Sequence, residues 1–349
     1  MQEGRGDLSV LLRAGADVGY GYCKAVAPGG RKVVFPSLVA PDEGRKSFGL
    51  LGPATGKLNY QVKLTGPKAR GAFAVGEAAM RKDMAVRAWD LKEQVAHQNT
   101  LVLLFTACAL LGASGDVELG IGLPLEVFVS ARDQVKPWVE GASCQIAVND
   151  RPAVPLVIRR VSVFPQAGGA YLHALLREDG QIRDRSLLEV GVGVIDVGYR
   201  TTDLLMLART SEGMVPDADR STTIDQGISA IYEYVWKVLQ ERIGEPVDIA
   251  WVERTFLWNR GVLTFRGEPI DLEPDAEVAR EALANQITAR VKRLWGRAAD
   301  LAGKMILTGG GGADLYPWLK RSLPGLVLGE DPLFANALGY LAAMAGGAR

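Results

Sequence analysis

The 349-residue chain is long enough for two domains of ordinary size, and its 48% hydrophobic and 23% charged residues are the balance of a globular protein with a sizeable core. Lys+Arg and Asp+Glu number 40 each, so no net field draws the surface to anionic lipid or to nucleic acid, and direct nucleic-acid binding is not expected. Three scattered cysteines, Cys23, Cys108 and Cys144, lack Cys-x-x-Cys spacing, which suits a reducing cytoplasm and gives neither a disulfide framework nor a zinc site.

Residues 1–7 carry no signal-peptide pattern and read as a short loose tail. Residues 10–16 and 32–35 are β-rich, and the Gly-rich stretch between them predicts a hairpin with an Asp-Val-Gly-Tyr, at 17–20, in its bend. A loop-rich region runs to about residue 69, and 72–75 reads as a short strand entering a turn. Residues 97–111 are helical by length and periodicity. The apolar run 100–113 falls short of the ~20 residues that span a membrane, so it reads as a buried core helix with no membrane partner. His97 and His173 read as packed or helix-surface residues without a chemical role. A strand at 117–122, an amphipathic helix at 129–140 and paired strands at 145–148 and 154–161 come next. Phe164-Pro165-Gln166 reads as the crossing between domains, with a helix over 170–176. The second half predicts strands at 192–196 and 204–208 and one long helix over 222–242. A second helix over 275–301 presents Arg290, Lys292, Arg293 and Arg297 as a solvated face. A strand at 305–308 runs into Gly309-Gly310-Gly311-Gly312, and an apolar helix within 331–344 closes the chain. Strand–turn–strand units followed by helices, used twice, predict α/β layers.

The tetrapeptide Asp-Val-Gly-Tyr recurs at 196–199, and each copy ends an apolar run and opens a turn. A strand ending in Asp-x-Gly is a device for holding phosphate. The glycine permits positive φ, backbone N–H groups point at the anion, and the carboxylate can hold a hydrated Mg²⁺. Two copies, roughly half the chain apart, suggest a duplicated domain with a nucleotide between the halves. The first turn leads to Lys24, a positive charge for phosphate oxygens. The second offers the hydroxyls of Thr201 and Thr202 and ends in Asp203. Neither is the Gly-x-x-x-x-Gly-Lys-Ser/Thr loop. Gly309, Gly310 and Gly311, after a strand, let a flat base or a phosphate approach the backbone. Gln166 can orient an attacking water without being a strong base.

Taken together, these segments resemble the actin-like ATPases, specifically the bacterial and archaeal plasmid-segregation type (the ParM/StbA family), from about residue 13 onward. Asp17-Val-Gly-Tyr-Gly-Tyr-Cys-Lys24 is similar to that family's first phosphate loop, and Asp196-Val-Gly-Tyr-Arg-Thr-Thr-Asp203 to its second. Phe35-Pro-Ser-Leu-Val-Ala40 and Gly122-Leu-Pro-Leu125 are similar to segments common in it, and Phe164-Pro-Gln166 to the connection that places the catalytic polar residue. Leu307-Thr-Gly-Gly-Gly-Gly312 is similar to its adenosine loop, and Asp331-Pro-Leu-Phe-Ala-Asn-Ala-Leu-Gly-Tyr340 to its closing helix. The resemblance implies a duplicated RNase H-like actin fold in two domains, 1–165 plus 331–349 and 166–330, with a nucleotide cleft between them. It implies ATP or GTP with Mg²⁺ as cofactors: Asp17 and Asp196 hold the ion through water and, with Gln166, form the catalytic set. Gly19, Tyr20, Gly21, Lys24, Gly198, Tyr199, Arg200, Thr201 and Thr202 surround the phosphates, and Gly309, Gly310 and Gly311 cover the adenosine. Two positions depart from the pattern. Tyr20 stands where actin has a small hydroxyl residue, so a γ-phosphate contact there comes from backbone. Gln166 stands where some plasmid-segregation actins have glutamate and actin itself has glutamine.

The implied function is a cytoplasmic ATPase that assembles head to tail with itself into filaments, in plasmid or DNA segregation through a DNA-binding adaptor protein, or as a prokaryotic cytoskeletal element. The alternatives are a small-molecule kinase of the same superfamily, for which Asp203 is the candidate base, and a weakly hydrolysing ATP-binding scaffold.

Overall fold

In the segment Tyr22–Ala27 the part-buried Tyr22 and Lys24 alternate with the buried Cys23 and Ala25, and that alternation makes it a strand. The structure, a computed structural model, describes residues 11–42, 58–82, 84–87, 97–211 and 213–347. The expected N-terminal tail and much of the expected loop-rich stretch lie outside these residues. The chain divides into two units, 1–182 with 336–349 and 183–335.

The first unit begins with β1 (Leu12–Val18), β2 (Tyr22–Ala27), β3 (Arg31–Pro36) and β4 (Leu38–Pro41). β2 corrects the sequence reading, which left those residues in the turn; the bend holding the first Asp-Val-Gly-Tyr joins β1 to β2, not to β3. β5 (Asn59–Thr65) is a second strand inside the stretch read as loop, its Val62 and Leu64 buried between polar neighbours. β6 (Arg70–Gly76), β7 (Val86–Arg87), α1 (Gln98–Leu110), β8 (Gly115–Leu123), α2 (Leu125–Val139), β9 (Ser143–Val148), β10 (Val154–Pro165) and α3 (Gly168–Leu175) complete this run. α1 is buried on every side from Thr100 to Cys108, as a helix apolar all round must be, and His97 caps it by accepting from the Asn99 N–H at 3.1 Å. The sheet runs β3-β2-β1-β8-β10-β9-β5-β6-β4-β7, with β1, β8 and β10 parallel.

The second unit contains β11 (Val192–Val197), β12 (Thr202–Thr210), β13 (Gly213–Pro216), β14 (Thr222–Ile224), α4 (Ser229–Ile243), α5 (Ile249–Asn259), β15 (Val262–Phe265), β16 (Glu268–Asp271), α6 (Glu273–Trp295), α7 (Arg297–Leu301), β17 (Lys304–Thr308), α8 (Gly312–Ser322) and β18 (Leu326–Leu328). Its sheet runs β13-β12-β11-β17-β18. The first two pairings are antiparallel and the last two parallel, the same order and sense as β3-β2-β1-β8-β10. The duplication read from the repeated tetrapeptide is thus a duplication of sheet topology. Two expected helices are shorter than the sequence reading made them. Thr222–Ile224 is β-branched throughout and pairs with β12, so α4 starts only after Gly227. The helix over 275–301 breaks at Gly296, whose φ of 49° and ψ of −130° no helix continues. Lys292, Arg293 and Arg297 are exposed, as a solvated face requires.

α9 (Ala335–Ala345) returns to the first unit, where it lies so close to the sheet that only glycine fits beneath it. A Cβ at Gly15 would stand 2.0 Å from the Ala337 carbonyl oxygen, and one at Gly122 would stand 2.0 Å from the Tyr340 hydroxyl. Tyr340 stacks on Phe164 with centroids 5.1 Å apart, and Asn336 Oδ1 accepts from the Ala170 N–H at 3.1 Å. These contacts hold α3 in the first unit, so the division falls at 182/183 and 335/336, where the sequence reading put it at 165/166 and 330/331. No helix among the described residues is long and apolar enough to cross a membrane.

Candidate functional site

The two Asp-x-Gly turns share one backbone design. Gly19 N–H donates to the Tyr22 carbonyl at 3.1 Å, and Gly198 N–H to the Thr201 carbonyl at 2.8 Å, each closing the end of an antiparallel hairpin. Neither glycine has positive φ, contrary to the sequence reading. The requirement is space: a Cβ at Gly198 would stand 2.9 Å from the Thr201 oxygen, and one at Gly19 would stand 3.3 Å from the Tyr22 oxygen.

In the first unit, register places Asp17 directly opposite Lys24 on one face of the β1–β2 hairpin. Lys24 Nζ donates to Asp17 Oδ2 at 2.6 Å, with side chains 12% and 4% exposed. Gln166, at the end of β10, donates from Nε2 to Asp17 Oδ1 at 2.8 Å. A carboxylate only accepts, so this bond fixes the amide with its NH₂ toward Asp17. Gln166 Oε1 makes no hydrogen bond among the described residues. The next residue, Ala167, is buried with φ 66° and ψ −37°, a sparsely populated conformation for a residue with a Cβ. It turns the chain from β10 into α3 and holds Gln166 at the carboxyl ends of β1, β8 and β10, where open α/β sheets take their ligands. Tyr20 is buried rather than presented at the tip.

The second unit places Asp196 opposite Asp203 at the equivalent register position, both buried. Asp203 also accepts from Thr223 Oγ1 at 2.6 Å. Two buried carboxylates facing each other repel, and a divalent cation relieves that repulsion. One or two carboxylates plus water and phosphate oxygens is a donor set that suits Mg²⁺, and no cluster of three or more ligating side chains for a drier metal site exists among the described residues. Gly309, at φ 87°, passes so close that a Cβ would stand 2.3 Å from Asp196 Oδ1. Gly311 is held by packing, since its Cβ would meet Ile228 at 2.4 Å, whereas one at Gly310 would meet only Leu333, at 3.5 Å. Of the three glycines, Gly310 lies in the most open space.

The remaining second-turn residues are anchored into their own unit. Tyr199 hydroxyl donates to Glu253 on α5, and Thr202 hydroxyl to the Gln226 carbonyl at 2.8 Å. Ile228 N–H and Ser229 N–H, at the start of α4, donate to the Gly198 and Tyr199 carbonyls at 3.1 and 2.7 Å. Arg200 lies at the tip, 3.6 Å from Asp225, beside Thr201.

A pocket of about 460 Å³ was not found by sequence reasoning. Ile228, Tyr232 and Phe256 form apolar walls, while Glu273, Arg280 and Asp314 are its polar side. Rings of Tyr199, Tyr232 and Phe256 follow one another at 6.4 and 5.7 Å, leading from the second turn into the pocket. Asp314 sits in the first turn of α8, just after the glycine turn. Its carboxyl is held above the usual range by desolvation, against the lowering effect of Arg280. Burial, reinforced by the charges of Asp314 and Glu253, pushes the Tyr232 hydroxyl up to about 12. The lining comes from α4, α5, α6 and α8, so no local spacing in the chain could have announced it. Asp203 is not among the residues that line this pocket.

This pair of repeated sheets, each ending in a glycine-bearing turn beside a buried aspartate, defines an actin-like two-domain protein. Residues 15–169 match the family model of the actin-like protein N-terminal domain, and residues 194–321 that of the archaeal actin homologue MreB-like C-terminal domain. The chain belongs to the actin-fold superfamily. It is similar to an archaeal actin homolog of Thermoplasma acidophilum, 26% identical over 344 residues, covering 95% of this chain and 98% of that one. It is similar to ParM in a 15-stranded filament from Clostridium botulinum, at 26% identity and TM-score 0.77, covering 95% and 97% of the two chains. A crystal structure of an archaeal actin homolog in complex with ADP matches at 23% identity and TM-score 0.76, covering 95% and 99%.

Proposed function

We propose that the chain is a cytoplasmic actin-like ATPase that binds Mg²⁺ with ATP or GTP and assembles head to tail with itself into filaments. Its output is plasmid or DNA segregation through a DNA-binding adaptor, or a cytoskeletal role. The observation that carries the reading is the repeated hairpin: two sheets of one topology, each with a buried aspartate beside a tight Gly turn. The ADP bound to the archaeal homolog and the filament formed by ParM support the nucleotide and the assembly, respectively.

In this reading each turn is a phosphate-binding turn. Backbone N–H groups of the turns and Lys24 face phosphate oxygens, and the 460 Å³ pocket beside the glycine turn accepts the base between Tyr232, Phe256 and Ile228. Mg²⁺, when bound, neutralises charge on the terminal phosphates. The sequence reading gave the ion to Asp17 and Asp196; since Lys24 and Gln166 take both Asp17 oxygens, Asp196 with Asp203 would hold it through water in this proposal. Asp17 sets the orientation of Gln166, and Gln166 Oε1 accepts a hydrogen from the attacking water, holding it in line. Hydrolysis removes contacts that favour the assembled form, so filaments are lost after phosphate release. Self-assembly of unlike surfaces that do not close a ring gives an open filament.

Light scattering and pelleting with ATP, GTP and ADP, run beside phosphate release, test this reading. Triphosphate-dependent assembly followed by release is the expected result; no nucleotide binding or no assembly sinks it. Gln166→Ala should assemble as the wild type does while phosphate release slows about 100-fold, and an unchanged rate removes Gln166 from the mechanism.

A further inference from the structure

Ser37 occupies the corner between β3 and β4, beside the first turn but outside every group given a role above. Its N–H donates to the Gly21 carbonyl at 2.9 Å. The residue is fully buried, at 0% exposure, and its hydroxyl meets neither donor nor acceptor among the described residues. Buried polar atoms in native proteins nearly always find partners, and one that does not is costly. Elsewhere near the turns the hydroxyls are met: Thr202 donates to the Gln226 carbonyl at 2.8 Å and Thr308 to the Pro332 carbonyl at 3.2 Å, both residues equally buried. Alanine would fill the Ser37 corner with the same backbone and no unmet group.

We propose that the Ser37 hydroxyl is a donor held for the nucleotide-bound form of the first turn, an inference that rests on the functional reading above. A trans peptide carries its N–H and C=O on opposite sides. Turning the Tyr20 and Gly21 N–H groups outward to meet phosphate oxygens therefore swings the Gly19 and Tyr20 carbonyls inward. Those carbonyls become buried acceptors, and the corner already clasped to the next carbonyl in the chain, that of Gly21, supplies the donor. Ser37 is thus a positioning residue. It also links the turn to the outer strands, because Pro36 pairs with Tyr22 while Leu38 and Val39 pair with Arg87 and Val75.

The test compares the full chain with Ser37→Ala and Ser37→Cys in thermal unfolding and nucleotide titration, without nucleotide, with Mg–ADP and with a non-hydrolysable Mg–ATP analogue. Without nucleotide, Ser37→Ala should melt at or above the wild-type temperature. Its affinity for the analogue should fall about fivefold to tenfold, with a smaller nucleotide-induced rise in Tm. Ser37→Cys fills the same space with a poor donor and should follow alanine, which separates donation from packing. Unchanged affinity overturns the inference. So does an equal loss of Tm with and without nucleotide, the mark of an ordered water or a packing role. A wild-type chain that answers neither nucleotide overturns the functional reading itself; one that answers while Ser37→Ala is indifferent overturns this inference alone.

Discussion

The first and second hairpins are alike in backbone and differ in the charge that faces the aspartate. Each ends in a glycine whose N–H closes a four-residue turn, and each places its aspartate two residues before that glycine on a buried face. Across the strand, however, Asp17 meets Lys24 while Asp196 meets Asp203. The first carboxylate meets a counter-charge and is further tied to Gln166, whereas a second carboxylate stands across the strand from Asp196. Duplication therefore kept the backbone geometry of the turn and divided the side chains that face its aspartate. In the proposed function one copy orients Gln166 toward water, and the other would hold a hydrated cation.

Removing the lysine should separate the two hairpins most. Lys24→Met leaves Asp17 buried without its counter-charge and should lower unfolding free energy by about 3 kcal/mol in denaturant melts without nucleotide. A loss under 1 kcal/mol would mean the pair is not a buried one in solution. Next comes Asp196→Ala, which should weaken Mg–nucleotide binding by about 10–100-fold in calorimetry while leaving binding in chelator much less altered. Equal losses with and without Mg²⁺ would break the assignment of the second hairpin to the cation. The smallest effect carries the opposite sign. Asp203→Asn removes one of two facing charges and keeps an acceptor for Thr223, so stability without Mg²⁺ should rise by about 0.5 kcal/mol and the Mg²⁺-dependent stabilisation should shrink. A clear loss of stability instead would show that the two carboxylates are not repelling.

The repeated tetrapeptide made both turns legible, because aspartate and glycine at fixed spacing after an apolar run have few other uses. The helix of α1 was legible for a similar reason: from Leu101 to Leu110 Thr106 is the one hydroxyl in an otherwise apolar run, which leaves only a core position. β2 was not, since its alternation is short and includes Lys24, a charge whose partner Asp17 stands seven residues earlier. The start of α4 was misread because Thr222, Thr223 and Ile224 continue a helical length pattern while their β-branched side chains pair with β12. The pocket was illegible in principle, as four helices supply its lining.

By itself the amino-acid order determined which backbone turns, which side chains carry charge and that the design occurs twice; these follow from local stereochemistry and from where apolar runs stop. Tertiary structure alone decided what each carboxylate faces. Strand register put Lys24 opposite one aspartate and Asp203 opposite the other, and the parallel placement of β1, β8 and β10 brought Gln166 to Asp17 across 149 residues of chain. Electrostatic roles depend on distances of a few ångströms, and only packing sets those.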